Sequence, residues 1–154
     1  MKEEILKLYA IIEINENYEK ELVKWAKEKL INKVETNSLV LLAGLTENEY
    51  NNARELFFES LKELNIKIPE KRNALLFYSK LIAEDILENN IDPNEACDKI
   101  RDISIELDFP DVLMRFHLMS HSQYGHEKLG IYAKDLIPDI KKEAQELINK
   151  LKTV

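Results

Sequence analysis

Glycine and proline are scarce in this 154-residue chain, at three and four, and Cys97 is its single cysteine. So little of either, beside abundant leucine, glutamate, lysine and isoleucine, excludes a collagen-like or low-complexity chain and disfavours a strand-and-turn protein. One cysteine forms no intramolecular disulfide and no cysteine-based zinc knuckle, and it fits a reducing compartment. No run approaches the roughly 18 apolar residues that cross a bilayer. The opening "MKEEILKLYAIIEINE" lacks the apolar core and small-residue cleavage site of a signal peptide. A Gly-rich phosphate loop and a Gly-x-Ser-x-Gly elbow are both missing. So is basic surplus: the net charge of −7 argues against non-specific binding to nucleic acid or to an anionic membrane. These absences set the expectation of a cytoplasmic, non-enzymatic protein without a cofactor.

What is present is helical spacing. Apolar residues recur three and four apart almost throughout, and strict alternation is nearly absent. The spacing predicts helices over about 2–13 and about 18–34, the second capped by Asn17. "TNSLVLLAGL" predicts a short buried helix from about 37, closed by Gly44 as a left-handed cap. "TENE" at 46–49 has the capping-box pattern and opens a helix to about 64. Further helices are expected over about 70–89, about 93–107 (Asp92 as cap, Pro93 at the first position), about 111–122, and about 132–152 with Pro138 as a kink or restart. "QYGHEKLG" reads as loop. The expected fold class is all-α, about eight helices in antiparallel pairs forming a compact α-solenoid-like array within one domain, 1–154. "WAKEKLINKV" and, about 50 residues later, "YSKLIAEDILENN" each lead into a shorter segment, a weak internal repeat.

Charge is unevenly spread. Residues 84–111 hold ten acids against Lys99 and Arg101, a net −8 in that segment alone. On the helix from Pro93, Glu95, Asp98, Asp102 and Glu106 are spaced three, four and four apart, which predicts one carboxylate stripe opposite a buried side of Ala96, Ile100, Ile103 and Leu107. Like charges at such spacing cost roughly 0.2–0.5 kcal/mol per pair on an isolated helix. Glu84 and Glu88 add a pair on the preceding helix, expected to pack antiparallel to this one. A basic partner would gain steering and specificity from such a surface.

Two stretches, "WAKEKL" followed by "NSLVLLAGLTENE" and then "YSKLIAEDILENNIDPNEACDKI", resemble small, acidic, all-helical bacterial proteins. In these a Leu-Ala-Gly-Leu helix end precedes a charged helix, and an Ile-Asp-Pro turn opens a later one. The resemblance covers about residues 20–107. It implies a compact helical array and no catalytic residues. Proteins of this build include small intracellular antagonists such as immunity proteins against toxins, so a basic protein partner, for instance a nuclease toxin, is the expectation that follows.

The histidines offer a competing chemistry. His117 and His121, four apart, share a helix face and could chelate one ion, with His126 or Glu127 as a third ligand. The pattern differs from His-Glu-x-x-His, because Leu118 and Met119 follow His117. The plainer reading places His117 partly inward, His121 at the surface and His126 in a loop. Cys97, beside Ala96, reads as a small core residue.

Overall fold

The computed structural model describes residues 1–126 and 131–152, without the side chains of 125, 126, 131 and 132. The fold is all-helical. Contacts gather into two compact units, 1–71 and 72–154.

In the first unit α1 (Lys2–Glu13), α2 (Tyr18–Ile31), α3 (Asn37–Ala43) and α4 (Ala53–Glu63) follow one another through short connections. α2 packs on α3, and α3 on α4. Ile5, Leu22, Trp25, Leu39, Leu42, Phe57 and Leu61 are buried there. Trp25 meets Phe57 edge-on at 5.1 Å, and Phe58, half-buried as its 100° offset from Phe57 requires, leans on Tyr9 at 6.2 Å. Thr36 caps α3 by accepting from the Leu39 N–H, and the Glu63 carboxylate reaches over from α4 to accept the Ser38 N–H and hydroxyl.

The second unit holds α5 (Lys71–Leu87, its first residue closing the first unit), α6 (Pro93–Glu106), α7 (Met114–Ser122) and α8 (Ile137–Leu151). The main partners of α6 are α7 and α8, in place of the expected α5. Asp92 caps α6 through the Asn94 and Glu95 N–H groups, with Pro93 in the first turn. Pro138 lies in the first turn of α8, so it marks a restart after a 3-10 turn at Lys134–Leu136. Among the described residues, no helix is long and apolar enough to cross a membrane.

Four local expectations change. The "TENE" capping box is present, with Thr46 N–H donating to Glu49 Oε1 at 3.2 Å, but it opens a 3-10 segment, Glu47–Asn52, before α4 begins. Asn17 stands at the α2 N-terminus with φ 32° and no side-chain cap bond. Part of the stretch expected to be loop forms a strand of a short antiparallel ribbon: β1 (Tyr124–His126) pairs with β2 (Ile131–Tyr132), which aromatic and β-branched residues favour. The fourth concerns Gly44, which ends α3 at φ −89°, because the last turn tightens in the right-handed sense onto Val40 and Leu41 carbonyls.

Left-handed caps exist, but other residues make them. Asn15, Lys33, Asn65, Asn89 and Asp108 have φ between 54° and 62°, each just past a helix end. Each N–H bonds back to a carbonyl three residues earlier, and the next N–H reaches five back, as in Phe109 N–H to Ser104 at 2.8 Å. This is the Schellman arrangement that glycine usually serves. Asparagine and aspartate tolerate the conformation; a lysine there is strained.

Candidate functional site

The acidic region is carried by α5 and α6. The inner side of α6 is fixed by Ala96, Cys97, Ile100 and Ile103, all fully buried, on the side that packs against α7, where Phe116 and, just before the helix, Leu113 are buried too. That anchoring turns Glu95, Asp102 and Glu106 outward, and all three are exposed. On α5, Glu84 is half-buried and 3.7 Å from Lys80, while Glu88, one residue past the end of α5, is exposed and accepts from the Asn90 amide at 3.1 Å.

Asp98 departs from the expected stripe. Its side chain is only 14% exposed, because α7 and β1 cover it with donors. Oδ1 accepts from the Ser120 hydroxyl at 2.7 Å, the Gln123 amide at 2.6 Å and Arg101 Nη1 at 3.1 Å; Oδ2 accepts from the Tyr124 hydroxyl at 2.6 Å. A carboxylate so engaged is a joint between α6, α7 and the ribbon, not a group presented to a partner. Asn94 completes the joint: its amide donates to Gln123 Oε1 at 3.0 Å, and its carbonyl accepts from Gln123 Nε2 at 3.0 Å.

Arg101 links this joint to the surface. Besides Asp98 and Ser120, its guanidinium donates to Asp102 Oδ1 through Nε at 3.0 Å and Nη2 at 2.9 Å. Partial burial works against its charge, but the bonds to Asp102 and Tyr124 and the nearby carboxylates outweigh that and hold its pKa above the ordinary value. Asp102 itself is 63% exposed.

No protein-family model, curated protein or solved structure matches this chain. Its residues alone therefore carry the functional reading.

Of the candidate metal ligands, His117 is half-buried and His121 exposed, their rings edge-on at 4.9 Å. The His126 side chain and Glu127 lie outside the described residues. Among the described residues, no group of three or more histidine, cysteine or carboxylate side chains is placed to hold an ion. Cys97 is fully buried; its thiol donates to the Phe116 carbonyl at 3.3 Å, and burial, then the Asp98 charge, push its pKa up to about 12. That suits a core residue, since the reactive form is the thiolate.

Sequence reasoning missed Asn94, Ser120, Gln123 and Tyr124. A signal existed. Asn94, Asp98 and Arg101 are four and three apart, and Ser120 and Gln123 are three apart, so each helix carries a polar seam within its apolar face. It also missed Glu143 on α8, almost fully buried, with Arg115 Nε 3.4 Å away. Burial first, and Glu146 next among the raising causes, hold the Glu143 pKa above the usual carboxylate range despite Arg115.

Proposed function

We propose that this chain is a non-enzymatic protein-binding module that engages a basic protein through outward carboxylates on α6 and just past the end of α5. The observation that carries the reading is the exposure of Glu88, Glu95, Asp102 and Glu106 on a segment whose inner side is fully committed to the core. Concentrated like charge does nothing for the stability of the free chain. It raises the rate of encounter with a cationic surface and orients it. Asp98 leaves the set of partner residues; Glu84, half-buried and beside Lys80, sits at its margin.

An inhibitory role of the immunity-protein kind, toward a nuclease toxin, is the concrete form. Carboxylates would occupy the lysines and arginines that otherwise hold phosphate, so inhibition would be by occlusion. The test is inhibition of DNA hydrolysis by a basic nuclease encoded beside this gene, measured across a salt series. Wild-type chain should inhibit, with a strong salt dependence of association. The combined Glu95→Lys, Asp102→Lys, Glu106→Lys variant should lose at least about tenfold in affinity, equivalent to about 1.4 kcal/mol. Unchanged inhibition by that variant would sink the reading. The metal-centre alternative uses His117 and His121, with the His126 side chain or Glu127, which lie outside the described residues. Stoichiometric metal in the purified chain, lost on changing His117 and His121 to alanine, would favour it over the acidic surface.

A further inference from the structure

Among the described residues of the second unit, the exposed large hydrophobics are Ile105, Phe109 and Leu118, all within the α6–α7 junction. Phe109, 44% exposed, rests edge-on against His117 at 5.1 Å, and His117 rests on His121. Leu118, 59% exposed, is three residues before His121 and so its neighbour on the α7 surface. Phe109, His117 and His121 are joined ring to ring, and Leu118 stands beside His121 on the same helix surface.

Three unfavourable features meet at this spot. A large aromatic ring faces water. Its residue and the preceding Asp108 both sit at φ 57°, a conformation that bulky side chains rarely adopt. Beneath the ring, His117 Nδ1 is buried with no hydrogen-bond partner among the described residues. Strain and exposure retained together in one place are the mark of a site kept for something other than stability. The surroundings specify the occupant by charge. Glu106, Asp108 and Asp111 are exposed on either side of Phe109. The nearest cation along α7, Arg115, is engaged with Glu143 at 3.4 Å.

The geometry points to Phe109, His117, Leu118 and His121 forming an anchor site for a cationic peptide segment that carries a large apolar side chain. This rests on the acidic-surface reading above and adds what that surface lacks, a short-range contact that holds the partner once charge has steered it there. Such a division, with charge setting encounter and an apolar anchor setting residence, is how small interfaces gain affinity.

The experiment uses the full chain and two fluorescein-labelled synthetic peptides of equal positive charge. One carries leucine and phenylalanine at helical spacing; the other has serine in their place. Fluorescence anisotropy gives each Kd at low and high salt. Wild-type chain should bind the apolar-bearing peptide about tenfold tighter or more, as expected for burying one large side chain. Phe109→Asn should abolish that preference and leave salt-dependent binding intact; asparagine suits φ 57°, so the fold is kept. Leu118→Ser, on an exposed helical position, should reduce the preference as well. Equal, salt-dependent binding of both peptides would overturn the anchor site and leave the acidic surface standing. A preference that persists without salt dependence would overturn the cationic occupant, and the acidic reading with it.

Discussion

Replacing Asp98 by alanine, beside the same change at Asp102, separates a structural carboxylate from an exposed one. The change removes the acceptor for four donors. Arg101 retains Asp102, and the half-buried Tyr124 can turn its hydroxyl to water. Ser120 and Gln123 are fully buried. Ser120 then loses the carboxylate its hydroxyl donates to, and Gln123 keeps only the Asn94 carbonyl at 3.0 Å. Each buried donor stranded in this way costs about 1–3 kcal/mol, so with two such donors Asp98→Ala should destabilise by about 2–6 kcal/mol. Asp102→Ala, four residues along the same helix, removes an exposed pair and should cost no more than about 1 kcal/mol. Urea unfolding followed by far-ultraviolet circular dichroism gives both values from the midpoints at a common slope. Amide exchange in α6 and α7 should accelerate in the first variant alone. If the two substitutions cost the same, or if Asp98→Ala is silent, the account of Asp98 as the joint of this unit is refuted.

Two further outcomes follow from the backbone and from burial. Lys33→Gly should stabilise the chain by about 0.5–1 kcal/mol, because a lysine in the left-handed cap costs about 1–2 kcal/mol and glycine's extra unfolded freedom returns only part of it; the melting temperature should rise by about 2–4 °C per kcal/mol, whereas Asn65→Gly should gain less, and a loss of stability in Lys33→Gly would contradict the strain argument. Glu143 has a folded pKa above its unfolded one, so its protonated form favours folding below the unfolded value, and that contribution is lost as the pH rises through the folded value. Glu143→Gln should therefore gain most over wild type at neutral pH and converge with it under acid, which paired unfolding curves across pH would check.

The parts of the fold that were legible from sequence are those decided within one turn of chain. Pro93 with Asp92, the Thr46–Glu49 pair and the restart at Pro138 all act over a few residues, and the structure has them where their spacing puts them. The left-handed caps are less legible, because glycine is the residue that usually signals them, while three asparagines, a lysine and an aspartate take that role here. The site divided along the same line. Exposure of Glu95, Asp102 and Glu106 follows from the period of α6 and the buried residues opposite. The fate of Asp98 depends on Gln123 and Tyr124, brought back across a turn, and helical spacing alone does not reveal which member of a stripe such a return covers. The ribbon at Tyr124 was likewise hidden, since its pairing strand is two residues long.

Cys97 gives the molecule a stopwatch. With no other thiol in the chain and this one held far from ionisation behind Phe116, an alkylating reagent can mark it only during the moments when α6 and α7 come apart. The rate of marking thus counts those openings directly, without a label or a mutation. Run with and without the proposed partner, the same count would convert into how firmly that partner clamps the seam beside the proposed docking face.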